Sequence, residues 1–124
     1  MDTHAFMWWD SDPDKIPEET FTLLKQPKNE LLLSLVSVWE MQIKVQLGKL
    51  TLRNDLKDIV QQQQTTNGIE LLPVSLAHVL DIDELPYHHK DPFDRLLIAQ
   101  SRVESVSLVS GDRIFQQYDC TVVW

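Results

Sequence analysis

Residues 88–100, His-His-Lys-Asp-Pro-Phe-Asp-Arg-Leu-Leu-Ile-Ala-Gln, pass from a polar turn to an almost wholly apolar run within one helical turn. Asp91 has the short, oxygen-bearing side chain that caps a helix. Pro92, at the first helical position, has its φ already set and lacks only an N–H that would find no partner there. Asp94 falls in the first turn, where the helix dipole favours a carboxylate. Leu96, Leu97, Ile98 and Ala99 leave little polar face, so the spacing predicts a helix over 91–104 packed on several sides. A buried helix with a carboxylate at its N-terminal end suits a site at the rim of an α/β sheet.

The rest of the chain supplies the other elements of such a sheet. It opens Met-Asp-Thr-His-Ala-Phe-Met-Trp-Trp, a strand end turning directly into a short helix. Residues 11–17 read as a loop, 18–25 as a short helix and 27–29 as a turn. Residues 30–34 contain Leu31, Leu32 and Leu33, an apolar run bounded by turn signals, which fits a strand buried on both faces.

Residues 39–47 carry conflicting signals. Trp39, Met41, Ile43, Val45 and Leu47 alternate with polar residues, which by the period-two rule says strand. Against it, Ser37-Val38-Trp39-Glu40 has the capping-box form, Gly48 stands where a helix C′ residue would, and Trp39, Ile43 and Leu47 form an i, i+4, i+8 stripe. The helix reading, 37–47, is preferred.

Leu56, Ile59 and Val60 then supply the stripe of a helix that the glutamine run 61–64 ends, before Thr65-Thr66-Asn67-Gly68. A strand is expected over 69–73, a helix capped by Ser75 to about 83, and a strand over 107–109. A helical turn over 114–118 and a last β-branched strand over 121–124 complete the chain. Short apolar strands alternating with helices imply βα units and a parallel sheet.

A chain of 124 residues fits one domain. No apolar run reaches the length of a membrane span, and the start lacks the basic and apolar stretches of a signal peptide. The single Cys120 cannot form an internal disulfide, which makes a reducing cytoplasm the expected location. Nineteen acids against eleven bases give a net charge of −8, which argues against a broad nucleic-acid-binding surface. Acids gathered around a cation, a basic partner, or solubility alone are the readings that remain.

Ligands of parallel α/β sheets bind beyond the carboxyl ends of the strands. Four acids fall at or just after such ends: Asp2, Glu40, Asp94 and Asp112, the last following Leu108-Val109-Ser110-Gly111. Together they would repel one another unless a cation neutralised them, and hard oxygen donors of this kind suit Mg²⁺ or Mn²⁺. Each also has a plain structural reading. Glu40 fits as the capping-box partner of Ser37, Asp94 as a dipole-complementing acid, Asp112 as a turn residue and Asp2 as a solvated terminus; Asp91 reads as a cap. The coincidence of four carries the inference.

His88 and His89, being adjacent, read as turn residues and His78 as an ordinary helix residue, while His4 packs or caps. Trp8, Trp9 and Trp39 read as core or interface aromatics, because no Arg or Lys interleaves them. A phospho-receiver domain, also acidic and α/β, needs paired acids after the first strand and a late lysine. This chain has one acid there, and its last lysine is Lys90.

Taken in order, Asp-Thr-His-Ala-Phe-Met-Trp-Trp, Ser-Val-Trp-Glu-Met-Gln-Ile-Lys-Val-Gln-Leu-Gly-Lys-Leu, His-Lys-Asp-Pro-Phe-Asp-Arg-Leu-Leu-Ile-Ala-Gln and Leu-Val-Ser-Gly-Asp-Arg-Ile-Phe resemble the PIN-domain family, and within it VapC-type toxins of bacterial toxin–antitoxin pairs. The resemblance covers essentially the whole chain, as a single domain over 1–124. It implies a three-layer α/β/α fold with a mostly parallel, nominally five-stranded sheet. It also implies a Mg²⁺- or Mn²⁺-dependent endoribonuclease that acts on RNA, is restrained by a cognate antitoxin and can pair as a homodimer. By motif its metal-binding and catalytic acids fall on Asp2, Glu40, Asp94 and Asp112. Thr3 and Ser110 match hydroxyl positions that help shape the site, and Asp91 a residue common in the subgroup. Family members carry a short apolar strand, central in the sheet, before the acid matching Asp2; only Met1 precedes it here, so the first strand is expected to be largely missing, with an upstream start or a trimmed chain as its explanation. Two alternatives remain: an impaired domain that acts only as a binding partner, and a metal-dependent DNA nuclease.

Overall fold

Six α-helices and four short parallel strands alternate along residues 1–124, all of which the computed structural model describes. The helices are α1 (Thr3–Ser11), α2 (Glu18–Lys25), α3 (Leu35–Gln46), α4 (Leu56–Asn67), α5 (Leu76–Asp81) and α6 (Pro92–Glu104). The strands are β1 (Leu32–Ser34), β2 (Glu70–Leu72), β3 (Leu108–Val109) and β4 (Val122–Val123), with 3₁₀ turns at Pro13–Lys15, Ile82–Glu84 and Arg113–Gln117. No helix is long and apolar enough to cross a membrane.

Capping fixes where these helices begin. Asp91 Oδ1 accepts from the backbone N–H groups of Phe93 (2.8 Å) and Asp94 (3.2 Å), satisfying two donors that α6 leaves without intrahelical partners. The ambiguous segment over 39–47 is helical, as α3. Its cap is Ser34, whose hydroxyl accepts from Val36 N at 3.0 Å, not the expected Ser37. The helix therefore starts directly at the end of β1, and Ser37 is buried with no partner for its hydroxyl. Gly48 follows in the left-handed conformation, at φ +70°. The expected Trp39–Ile43–Leu47 stripe is not the buried face, since Trp39 is 58% and Leu47 62% exposed. Val36, Ser37, Glu40 and Met41 face inward instead. In α4 the glutamine run and Thr65-Thr66-Asn67 stay helical, and the stop comes only at Gly68 (φ +64°).

The sheet exists as two parallel pairs. Leu33 lies opposite Leu71 in β1–β2, and Leu108 opposite Val122 in β3–β4. The expected nominal five-strand sheet is not continuous. Between β1 and β3 lies a cavity of about 400 Å³ lined by Met1, Leu31, Leu32, Ser107, Leu108 and Val109, among others. Two bonds bridge it at one end: the Met1 amino group donates to Leu32 O (3.3 Å) and Asp2 N donates to Val109 O (2.9 Å). A ladder needs a run of such donors, and Met1 and Asp2 alone hold the central position.

Two apolar clusters pack the strands and helices together. One joins Ala5 and Phe6 of α1, Leu24 of α2, Leu33 of β1, Met41 of α3 and Ile59 of α4. The other joins Val36 of α3 to Leu97, Ile98 and Ala99 of α6, Leu108 of β3 and Phe115. Helix α3 feeds both, Met41 to one and Val36 to the other, and so places Glu40 between them.

Candidate metal centre

Four acids from distant parts of the chain are each held by a different device; Asp94 and Asp112, with His89, bring ligand atoms within 4.8 Å of one another, and Asp2 and Glu40 stand outside that group. Asp2 caps α1: Oδ1 accepts from Ala5 N (2.8 Å) and Oδ2 from the Ser110 hydroxyl (2.5 Å). Glu40, in the second turn of α3, accepts from the Thr3 hydroxyl through Oε1 and pairs through Oε2 with Lys44 Nζ at 3.2 Å, one turn on. Because Ser34 caps α3, Glu40 is not spent on a capping box. Both Asp2 and Glu40 are buried.

Asp94, in the first turn of α6, lies with Oδ2 2.8 Å from His89 Nε2. Asp112 caps the 3₁₀ turn after β3, with Oδ1 accepting from Ile114 N (3.1 Å) and Oδ2 3.8 Å from the same His89 nitrogen. Its side chain is half exposed, which puts it at the mouth of the site. Asp112 N in turn donates to Ser110 Oγ (3.0 Å), so one hydroxyl ties Asp2 to the Asp112 turn. That turn needs Gly111: a Cβ there would lie 2.7 Å from the Trp124 ring.

Asp94 feels its acidic neighbours. The Asp94 carboxyl is pushed up to about 7, first by burial and then by Asp91; His89 opposes the rise, and Glu40 and Asp2 add to it. A carboxylate whose ionisation is resisted by three other acids is short of positive charge, and Lys44 and His89 are the nearby bases. This donor set, oxygen-rich and under-neutralised, fits a divalent cation. Asp94 and Asp112 would hold it first, and Asp2 and Glu40, near enough to act on the Asp94 carboxyl, are the acids that would complete its shell.

The flanking residues singled out in the sequence fall beside these acids. Thr3 and Ser110 each donate to one of them, and Asp91 caps α6. His89, read as an ordinary turn residue, turns inward: His89, Asp94 and Asp112 offer ligand atoms within 4.8 Å of one another. Its neighbour His88 packs on the Tyr118 ring instead. In an irregular loop, adjacent residues need not share a direction. The spacing His-x-Asp-x-x-Asp, with both acids accounted for, was the available signal.

Several basic residues have structural partners. Arg95 is buried and donates to the carbonyls of Pro86, His89, Ile82 and Leu85, pinning the loop before α6. Arg53 forms a two-pronged pair with Asp10, at 2.9 and 2.8 Å. Lys49 and Arg113 are exposed and outside any ion pair.

A family model described as PIN domain matches residues 1–119. Among curated proteins nothing matches the chain.

Proposed function

The chain belongs to the PIN domain family, whose members are generally metal-dependent nucleases, and from that premise we propose that it is a Mg²⁺- or Mn²⁺-dependent endoribonuclease of the VapC toxin type, restrained by a cognate antitoxin. The observation that carries the metal-dependent part of the reading is geometric: Asp94, Asp112 and His89 offer ligand atoms within 4.8 Å of one another, and Glu40 of α3 and Asp2 at the α1 cap, with Asp91 on Asp94's own helix, add to the rise of the Asp94 carboxyl.

A bound divalent cation supplies Lewis acidity toward a phosphodiester and a more acidic water. The chain does the rest. Asp2 and Glu40 are held in place by Ser110 and Thr3, and Glu40 would exchange its Lys44 pairing for the ion. One of the carboxylates, with the ion bound, would orient the attacking water and receive its proton. Asp112, half exposed, faces the entering strand, with Arg113 next to it as an unpaired cation for a phosphate. On an acidic surface only such local charges draw RNA in, so Lys49 and Arg113 are the candidates and Arg53 and Arg95 are not.

The antitoxin would act by offering a basic side chain to the acids. A cavity of about 200 Å³ beside Trp8, lined by Phe6, Met7, Met41, Leu52 and Leu56, gives its apolar residues a groove. The test is incubation of the Mn²⁺-loaded protein with single-stranded RNA and single-stranded DNA, with and without EDTA. Cleavage of RNA alone, abolished by EDTA, is expected; cleavage of DNA alone would move the assignment to a DNA nuclease, and cleavage that survives EDTA would remove the metal.

A further inference from the structure

His89 stands in the loop before α6 with its backbone and ring held by the C-terminal segment and the α6 cap. Its backbone N–H donates to the Tyr118 hydroxyl (2.6 Å), its ring lies 5.8 Å from that of Phe115, and Nδ1 accepts from Asp91 N over a long 3.3 Å. This holds Nε2 toward the acids. Nε2 is itself buried and has no aligned hydrogen-bond partner, although Asp94 Oδ2 is 2.8 Å away. The two facts agree if the contact is close but the N–H does not point along it. The distance to Asp112 Oδ2 is 3.8 Å.

Separations of this size have a simple meaning. Donors about 2.1 Å from one octahedral ion stand about 3.0 Å apart when adjacent and about 4.2 Å apart when opposite. The His89–Asp94 and His89–Asp112 distances fall near and between those edges. We propose that His89 is a ligand of the divalent ion through Nε2, alongside Asp94 and Asp112, and that this nitrogen donor biases the site toward Mn²⁺ and later first-row ions over Mg²⁺. Resting on the metal-dependent reading, it adds a residue and a selectivity to it. Imidazole is a poor partner for Mg²⁺, which favours oxygen donors and retains its waters, whereas affinity for a nitrogen site rises from Mn²⁺ toward Co²⁺ and Ni²⁺. Coordination through Nε2 requires the ring proton on Nδ1, where two N–H donors would face each other, so the long bond from Asp91 N is given up when the ion binds.

The experiment is pulsed electron paramagnetic resonance on the full chain loaded with Mn²⁺, together with calorimetric titration by Mn²⁺ and Mg²⁺ separately. The parent is expected to show ¹⁴N coupling from a directly bound imidazole. In His89→Ala and His89→Gln that coupling disappears, Mn²⁺ affinity falls about 10–100-fold and Mg²⁺ affinity changes less. Melting curves in EDTA check that both variants remain folded, and the glutamine variant, similar in reach, keeps the test informative should alanine loosen the loop. Mn²⁺ bound by the parent without ¹⁴N coupling overturns the ligand assignment and leaves the nuclease reading standing. A parent that binds neither ion overturns both.

Discussion

The Ser110 hydroxyl donates to Oδ2 of Asp2 at 2.5 Å, joining residues 108 positions apart in the chain. The same oxygen accepts from Asp112 N, so one buried side chain fixes an acid at the start of α1 and the turn that carries another. Ser110→Ala leaves that carboxylate oxygen short of a donor in a buried setting. The expected loss is about 1–3 kcal/mol of stability, read by urea denaturation, with a fall in Mn²⁺ affinity. Ser110→Thr, which keeps the hydroxyl, is expected to recover part of both.

Asp94 makes the metal-free protein sensitive to pH in an unusual direction. Its carboxyl holds a proton up to about pH 7 in the folded state, against the usual 3.8. The folded state therefore binds the extra proton between those values, and stability falls as pH rises through them. Discounted for the part of the carboxyl that solvent screens, the difference is on the order of 2 kcal/mol. In EDTA, Asp94→Asn is expected to melt higher than the parent at pH 8 and the same as the parent at pH 3.5, as followed by circular dichroism. An equal gain at both values would remove Asp94's ionisation as the cause.

Arg95 grips four backbone carbonyls of the loop that carries His89. Its planar fork suits this; an ammonium reaches fewer of them. Arg95→Lys is expected to cost about 1–3 kcal/mol in stability and to lower Mn²⁺ affinity through the loop. It should leave the salt dependence of RNA binding unchanged, because Arg95 has no free charge to offer a phosphate. Filter binding at several salt concentrations checks this, and a shallower salt slope would show that Arg95 contacts the RNA.

The cavity between β1 and β3 is bridged at one end by Met1 and Asp2, which bond to Leu32 and Val109 on either side. Burial also holds the Met1 amino group below its usual pKa, so converting it to a peptide amide removes a buried charge. Fusing four apolar residues to Met1 is expected to raise the melting temperature by several degrees, for about 1–3 kcal/mol per newly satisfied backbone pair at the upper limit. No rise would show that the cavity does not take a strand.

The helix over 91–104 was legible to within a residue, because capping and proline placement act locally and do not depend on the rest of the fold. Of the acids, Asp94 was legible as a first-turn residue of α6 and Asp112 as a residue just after β3, whereas Asp2 caps α1 with no strand of its own before it and Glu40 lies in the second turn of α3. What the sequence hid is tertiary. Whether Ser34 or Ser37 caps α3 depends on β1 running straight into the helix, and the exposed Trp39 stripe depends on Glu40 having to face inward. The partners of Arg53 and Arg95, Asp10 and a set of backbone carbonyls, arrive only on folding, and no local spacing marks them. His89 looked idle because its direction is set by Tyr118 and Phe115, more than twenty positions away in the chain.

The most direct test of the shared site is single-turnover cleavage of single-stranded RNA by the parent and by Asp94→Asn, both loaded with Mn²⁺ and both verified as folded. Cleavage by the parent and a loss of about 10²–10⁴-fold in the variant is the expected result. An Asp94→Asn protein that cuts as fast as the parent would contradict it.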